Sequence, residues 1–130
     1  MSHENVELVR EAYDKFARKE IPAIFELFDD QIEFYQSELL PWGGRYIGVH
    51  EVRQFFTKLL QHIDSIVEPM EIVEAGDHVV VIARLHGKVQ LHAKPFDMTA
   101  VHVWTMKHRK AVRFEVYIDT PRMLQALEKE

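Results

Sequence analysis

A histidine in a strand-like segment is the first candidate for chemistry in this sequence. Residues 98–104 alternate between two faces, and one face carries Met98, Ala100, His102 and Trp104. If that face is buried, loss of solvation lowers the pKa of the imidazole and keeps it neutral, able to accept or donate one proton near pH 7. The simpler alternative is a buried histidine whose ring is hydrogen-bonded to a backbone carbonyl or lies at a dimer interface.

Two further polar side chains, Tyr13 and Gln36, could each offer a hydrogen-bond donor to a ligand carbonyl. A pair of such donors positions an oxygen atom or stabilises negative charge that develops on it. The structural alternatives are that Gln36 caps the end of a strand and that the ring of Tyr13 packs in the core with its hydroxyl at the rim. We predict that both line a pocket, with His102 as the catalytic group.

The eight histidines raise the question of a metal site. His86 and His92 fall on the strand next to that of His102, with a parity that lets both face the same side. The six-residue gap between them spans about 20 Å of strand, so they cannot share one ion unless a bulge or turn intervenes. No HxH or HExxH motif is present, and we expect no metal site. The remaining histidines are expected at the surface: His3, His50, His62, His78 and His108.

Composition indicates one soluble globular domain that spans residues 1–130. The sequence has 47% hydrophobic and 28% charged residues and no cysteine, which excludes disulfide scaffolds, zinc ribbons and thiol chemistry. The formal net charge of −5 provides no basic surface for nucleic acid. Residues 2–11 carry charges in place of the apolar run of a signal peptide. These features favour a cytoplasmic protein with neither nucleic acid nor membrane as a partner.

Apolar periodicity predicts three helices in the first half of the chain. They cover residues 6–17, 22–28 and 49–60. Between the second and the third, residues 31–36 alternate as a strand does, with Ile32, Phe34 and Gln36 on one face. Residues 40–46 contain two glycines and are predicted to form a loop.

Four long strands separated by short turns are predicted in the second half. They cover residues 66–74, 79–91, 96–106 and 111–119. Short turns between consecutive strands imply an antiparallel meander. Thr120, as N-cap, and Pro121 suit the start of a last helical segment that ends at Leu127. The sequence therefore predicts an α+β fold, in which three N-terminal helices cap a curved antiparallel sheet and leave a deep pocket between the layers.

Three segments resemble the nuclear transport factor two-like superfamily. They are Leu27-Phe28-Asp29-Asp30, Trp42-Gly43-Gly44-Arg45-Tyr46-Ile47-Gly48 and residues 112–120. Within it, the chain is most similar to the SnoaL-like, ketosteroid-isomerase-related proteins, over nearly its whole length. The resemblance implies a cone-shaped, cystatin-like α+β barrel. It also implies a homodimer formed through the outer sheet face, where a mildly apolar patch would comprise Thr99, Val101, Val103 and Thr105.

The superfamily includes ketosteroid isomerases, polyketide cyclases, epoxide hydrolases, dehydratases and non-enzymatic transport or scaffold domains, so the fold alone does not choose among them. Ketosteroid isomerases use an Asp base with a Tyr and a protonated Asp that stabilise the substrate oxygen. The positions that resemble these three carry Gln36, Ala12 with Tyr13 beside it, and His102. An amide cannot take a proton from carbon near neutral pH. The resemblance therefore does not extend to true ketosteroid isomerase activity.

The SnoaL-like cyclases resemble this chain in one of two key positions. Their histidine on the penultimate strand matches His102, whereas their acid on the last strand falls at Val116, which carries no proton. The Asp-Arg-Asp relay of the epoxide hydrolases has no counterpart on inward-facing positions. A dehydratase-like His-Asp pair would need a carboxylate from another element.

The glycine-containing loop is implied by the resemblance to lie over the pocket mouth. Trp42 and Tyr46 flank its two glycines and act either as a lid or as anchors that hold the loop on the sheet. Arg45 meets an acidic ligand at the entrance or, more simply, pairs with a surface carboxylate. With His102 as the catalytic residue, the residues expected to contact substrate are Tyr13, Phe34, Gln36, Trp42, Tyr46, Phe55, Met98, Trp104 and Val116.

The functional hypothesis is a small-molecule-binding SnoaL-like protein. Its ligand would be a hydrophobic organic molecule, and its reaction an isomerisation, cyclisation or dehydration that proceeds by proton transfer without a cofactor. The alternative is a non-catalytic ligand-binding or assembly domain that keeps the fold. The missing acids at Gln36 and Val116 favour this alternative.

Overall fold

The computed structural model describes residues 4–128, arranged as helices on one side of a mixed sheet. The helices are α1 (Glu4–Ala17), α2 (Ile21–Ile24), α3 (Val49–His62) and α4 (Thr120–Leu127), and a 3-10 turn (Phe25–Leu27) extends α2. The strands are β1 (Phe28–Gln36), β2 (Gly44–Ile47), β3 (Ile63–Ala75), β4 (His78–Val89), β5 (Pro95–Lys107) and β6 (Lys110–Ile118). His3 lies outside the described residues.

The two long N-terminal helices are held to the sheet by their apolar stripes. In α1, Val9 and Tyr13 are buried one turn apart, and acidic residues occupy the first turn, where they interact favourably with the helix dipole. In α3, Val52 and Phe55 are buried in the same way. Gly48 precedes α3 with φ of 88°, a conformation that residues with a Cβ atom rarely adopt.

The sheet has six strands in the order β2-β1-β6-β5-β4-β3. Strands β3 to β6 form the antiparallel meander that the sequence predicts. The prediction of a wholly antiparallel sheet needs one correction, because β1 pairs with β6 in parallel. The sheet is also open rather than closed into a barrel, since its edges β2 and β3 are not paired with each other. The cone-shaped α+β fold is otherwise as expected.

The predicted strand faces are confirmed by burial. On β5 the side chains of Met98, Ala100, His102 and Trp104 are all buried. On β1 the buried set is Ile32, Phe34 and Gln36. Both strands therefore turn one face towards the helices, and this places one buried polar residue on each.

Several local predictions differ from the structure. Strand β1 begins at Phe28, within the predicted second helix, and β3 begins at Ile63, three residues before its predicted start. The predicted loop over 40–46 contains the start of β2, whose four residues pair with the end of β1. The N-cap of α4 is Asp119 and not Thr120, because the Asp119 carboxylate accepts a hydrogen bond from the Arg122 amide. None of the helices within residues 4–128 is both long and apolar enough to cross a membrane.

Candidate functional site

A cavity of about 100 Å³ lies between the helices and the inner face of the sheet. Its wall is mainly aromatic and aliphatic, with few polar groups. The lining residues are Ala12, Tyr13, Phe16, Ile24, Phe28, Phe34, Gln36, Trp42, Phe55, Phe56, Leu59, Ile63, Ser65, Val67, Leu85, His102, Trp104, Phe114, Val116 and Ile118. Helices α1, α2 and α3, the loop before β2 and all strands except β2 contribute to it.

Three residues from two elements form a hydrogen-bonded chain in this wall. The indole Nε1 of Trp104 donates to the hydroxyl oxygen of Tyr13 at 3.1 Å, and that oxygen lies 2.6 Å from Nδ1 of His102. The Tyr13 and His102 rings are nearly parallel, with an interplanar angle of 11°. The spacing of two residues on β5 explains the arrangement, because it puts His102 and Trp104 side by side on one face, where α1 lays Tyr13 across them.

Burial keeps both titratable members of this chain neutral at pH 7. Removal from water lowers the pKa of His102 to about 4. It raises the pKa of the Tyr13 hydroxyl well above its usual value, an effect only partly opposed by the hydrogen bond from Trp104. The pair can therefore exchange hydrogen bonds with a ligand without carrying a charge.

Aromatic and aliphatic neighbours enclose the imidazole on its other sides. The Phe114 ring on β6 meets His102 edge-on, with the centroids 5.1 Å apart, and meets Trp104 at 4.4 Å. Val116 is the residue directly opposite His102 in the β5–β6 pair. This apolar setting is the physical cause of the lowered pKa of His102.

Two more polar side chains, Gln36 and Ser65, are buried in the cavity wall. Neither side chain forms a hydrogen bond to any residue from 4 to 128. A buried amide or hydroxyl without a partner is costly, so both are available to a polar atom of a ligand. The indole Nε1 of Trp42 is likewise buried without a partner among the described residues.

Among the described residues, the lining contains no Asp, Glu, Lys or Arg. At the three positions where the family resemblance places acids, the wall carries the amide of Gln36, the imidazole of His102 and the isopropyl group of Val116. The arrangement can donate and accept hydrogen bonds and hold an apolar molecule. It provides no charge to balance an ionic ligand.

The glycine-containing loop is anchored to the sheet. The hydroxyl of Tyr46 donates to the carbonyl oxygen of Trp42 at 2.9 Å and lies 3.2 Å from that of Gly43. A Cβ atom at Gly43 would lie 1.7 Å from the carbonyl oxygen of Ser37, so only glycine fits there. Arg45 pairs with Glu33 at 3.2 Å, as in the simpler of its two interpretations.

The residues named from the sequence divide into two groups. Those that line the cavity are Tyr13, Phe34, Gln36, Trp42, Phe55, His102, Trp104 and Val116. Tyr46 and Met98 are buried but lie outside the lining, where Tyr46 holds the loop and Met98 packs in the core. Ser65 also lines the cavity but was not predicted to, because the predicted strand began at residue 66 and β3 begins at Ile63. Extending the alternation of β3 back to Ile63 would have placed Ile63, Ser65 and Val67 on the inner face.

The three histidines considered for a metal site lie in different surroundings. His86 on β4 contacts Glu68 on the outer face. The prediction of His92 on the same strand is wrong, because β4 ends at Val89 and His92 lies in the turn before β5, 3.5 Å from the carbonyl oxygen of Leu127 in α4. His102 faces the cavity. Within residues 4–128 no three His, Asp or Glu side chains are grouped closely enough to hold a metal ion.

Comparisons with known proteins agree with the fold. The family model of the SnoaL-like domain matches residues 9–114. An NTF2-like protein of unknown function from Burkholderia pseudomallei is 27% identical, with 99% of this chain and 100% of that chain covered and a TM-score of 0.92. TerC, co-crystallised with polyporic acid, is 25% identical, with 97% and 99% covered and a TM-score of 0.89.

A third solved structure shares the fold at lower identity. It is a protein with a ketosteroid isomerase-like fold from Catenulispora acidiphila, in complex with trimethylamine. The two chains are 16% identical, 92% of this chain and 91% of that chain are covered, and the TM-score is 0.80. Among the curated proteins, none matches this chain.

Proposed function

Because this chain belongs to the family of SnoaL-like domains, we propose that its cavity binds a small, neutral, hydrophobic organic molecule and that His102 exchanges a hydrogen bond or a proton with it. The observation that carries this proposal is the buried Tyr13–His102 pair, which forms part of a cavity wall that is otherwise almost wholly apolar. Burial of a polar pair inside an apolar cavity costs desolvation free energy, and a purely structural core of apolar side chains would avoid that cost.

The size and polarity of the cavity define the class of ligand. A space of about 100 Å³ suits a molecule of roughly one ring, since a dry engineered cavity of about 150 Å³ binds benzene. The aromatic wall favours a ring or a planar system. A charged molecule would lose its hydration without gaining a partner. TerC was co-crystallised with polyporic acid, which supports an organic molecule as the ligand of this chain.

The reaction that suits the site is a proton transfer that requires no cofactor: an isomerisation, a cyclisation or a dehydration. His102 is the only lining residue among those described whose ordinary pKa is near neutrality. The hydrogen-bonding side chains of Gln36 and Ser65 could hold a carbonyl or hydroxyl oxygen of the substrate while the proton moves.

A second candidate function, binding without turnover, is favoured by a specific feature. The described lining lacks a carboxylate, and a histidine with a pKa of about 4 is a weak base at pH 7. A carrier or an assembly domain needs the cavity but not the base.

We also propose that the protein forms a homodimer through the outer face of the sheet. Val101 and Val103 lie side by side with Val80 and Ile82 of β4 on that face, and all four are only partly buried. Apolar neighbours of this kind on one sheet face are suited to an interface with a second copy of the chain.

One experiment tests the binding proposal and separates the two functions. Cyclohexanone is titrated into the protein while the fluorescence of Trp42 and Trp104 is followed, since both indoles line the cavity. Saturable binding that is weakened by His102→Phe and unaffected by Thr99→Val, an outward position on the same strand, is the expected result. The absence of binding to the wild type, or equal binding by His102→Phe, contradicts the proposal.

The same ligand reports on turnover. Cyclohexanone exchanges its α-hydrogens for deuterium in D₂O only when a proton is removed from carbon, and NMR follows the loss of signal. Exchange that is faster than in buffer and lost in His102→Phe supports an enzyme. Binding without accelerated exchange supports the carrier.

A further inference from the structure

The hydrogen-bonded chain of Trp104, Tyr13 and His102 has a defined direction. An indole N–H only donates, so the Tyr13 oxygen is the acceptor of the 3.1 Å bond from Trp104. The Tyr13 hydroxyl has one hydrogen of its own, and the nearest acceptor is Nδ1 of His102 at 2.6 Å. When Nδ1 accepts, the single proton of the neutral imidazole must be on Nε2.

The other tautomer is disfavoured by the same geometry. If Nδ1 carried the proton, the Tyr13 oxygen would accept from both Trp104 and His102, and its own hydrogen would be left without an acceptor in an apolar wall. A buried donor without a partner loses the free energy of its hydration. The bond from Trp104 therefore orients Tyr13, and Tyr13 in turn orients the proton on His102.

The remaining ring nitrogen is the polar atom that His102 offers to a ligand. Nε2 forms no hydrogen bond to any residue from 4 to 128, while the imidazole lines the cavity. The amide of Gln36 can rotate to present oxygen or nitrogen, and the hydroxyl of Ser65 can turn its hydrogen either way. His102 differs because its hydrogen bond with Tyr13, which in turn accepts from Trp104, determines which ring nitrogen carries the proton.

We propose that Tyr13 is a positioning residue that holds His102 in the Nε2–H form, so that the cavity selects ligands whose inner polar atom is a hydrogen-bond acceptor such as a carbonyl oxygen. This inference rests on the proposed ligand-binding function of the same cavity and narrows its substrate class. If the protein has turnover, the Nε2–H group stabilises negative charge that develops on that oxygen.

The tautomer is measured directly by NMR on full-length protein with ¹⁵N-labelled histidine, in which the His102 signals are assigned by their loss in His102→Phe. The expected wild-type spectrum shows protonated Nε2 and unprotonated Nδ1. Tyr13→Phe removes the hydroxyl that donates to Nδ1, and a mixture of the two tautomers is expected. Tyr117→Phe is the matched control, because it removes a hydroxyl that donates to Glu115 on the outer face; it should keep the wild-type tautomer. An Nδ1–H form in the wild type, or an unchanged tautomer in Tyr13→Phe, overturns the proposal.

The selection of an acceptor is tested with cyclohexanone and methylenecyclohexane, which have the same shape but present an oxygen or a CH₂ group. The ratio of their dissociation constants is compared between proteins, so that the hydration of the free molecules cancels. Relative to wild type, His102→Phe should lose about 2- to 10-fold of the preference for cyclohexanone over methylenecyclohexane, because one neutral hydrogen bond to the oxygen is lost. A smaller loss of this preference is expected for Tyr13→Phe, in which a part of His102 changes tautomer.

The two proposals fail in different ways. If both molecules bind and the ratio is the same in all three proteins, the cavity binds ligands but His102 does not select an acceptor, and the inference is wrong. If neither molecule binds the wild type, the proposed function fails for ligands of this size, while the NMR spectra still decide whether Tyr13 sets the tautomer.

Discussion

Tyr13 and His102, 89 residues apart in the sequence, are joined by a hydrogen bond of 2.6 Å inside an apolar wall. The contact links the first helix to the centre of the sheet. It is also the place where the core departs from simple hydrophobic packing, because the Tyr13 hydroxyl, Nδ1 of His102 and Nε1 of Trp104 are hydrogen-bonded to one another there.

Removal of the Tyr13 hydroxyl should destabilise the protein. Tyr13→Phe leaves Nε1 of Trp104 and Nδ1 of His102 without their partner, and we expect the free energy of unfolding to fall by about 2 kcal/mol in urea denaturation. The matched control is Tyr117→Phe, since the Tyr117 hydroxyl donates to Glu115 on the exposed outer face. That variant should change stability by less than about 0.5 kcal/mol. Equal losses in the two variants would contradict a special role for the buried hydroxyl.

Stability should depend on pH through His102. Its pKa is about 4 in the folded protein and about 6.5 in the unfolded chain, so between these values the unfolded state binds a proton that the folded state does not. The free energy of unfolding therefore falls as the pH is lowered from about 6.5 to about 4, by up to about 3 kcal/mol. Above about pH 6.5 the group contributes no pH dependence.

Denaturation curves from pH 4 to 8 check this sign. The variant His102→Gln should lose the His102 component and show a flatter profile than wild type. His108→Asn alters an exposed histidine in a turn with positive φ, which asparagine tolerates, and should keep the wild-type slope. If His102→Gln and wild type have parallel profiles, the imidazole is not held neutral by burial.

Much of this arrangement follows from local sequence patterns. The inner face of β5 was predicted because alternation with period two depends only on neighbouring residues, and the same holds for Phe34 and Gln36 on β1. The cavity position of His102 then followed from the face that it shares with Trp104. Patterns that depend only on residues close together in the sequence therefore predict which side chains are buried.

The parts that were not predicted depend on long-range pairing. The parallel contact of β1 with β6 joins segments that are about 80 residues apart, and no pattern in either strand specifies it. Strand β2 has only four residues and begins with a glycine, so pairing with β1 and not propensity makes it a strand. The Tyr13–His102 bond requires both the helix position and the strand register, which periodicity leaves open. Met98 shows the same limit, because it shares the predicted face but lies beyond the cavity.

The anchored loop should depend on the glycine at position 43. Gly43→Ala places a methyl group against the carbonyl oxygen of Ser37, and the loop must shift. We expect a loss of about 2 kcal/mol in stability and weaker binding of cyclohexanone, because Trp42 is the next residue and lines the cavity. Gly76→Ala is the control: its φ of 62° costs about 1 kcal/mol, but the added Cβ meets no atom within 4 Å. Gly76→Ala should bind the ligand as wild type does, and unchanged binding by Gly43→Ala would show that the loop does not position Trp42.

The proposed dimer should be sensitive to charge on the outer face of β5. Val103→Lys puts a charge at the centre of the half-buried patch, where a second copy would have to desolvate it, and we expect monomers in sedimentation velocity runs at concentrations that give dimers of the wild type. Val73→Lys makes the same change on edge strand β3, where the valine is 43% exposed, and should leave the dimer intact. A wild-type protein that sediments as a monomer contradicts the proposal.

An acid at position 116 should restore the proton carrier that the cavity lacks. Val116 lies directly opposite His102 on β6, and side chains at such positions have their Cβ atoms about 5 Å apart. Val116→Asp therefore places a carboxylate beside the imidazole. The negative charge should raise the pKa of His102 from about 4 towards its ordinary value, which NMR titration would detect. The buried charge should also lower stability by about 2 kcal/mol.

The same variant should gain activity. With a base on one strand and the Nε2–H donor on the next, exchange of the α-hydrogens of cyclohexanone should accelerate by at least about 100-fold over wild type. Val116→Asn has the same shape without the charge and should show neither effect. If the aspartate variant folds and binds cyclohexanone but exchanges no faster than the asparagine variant, the missing acid does not explain the chemistry of this site.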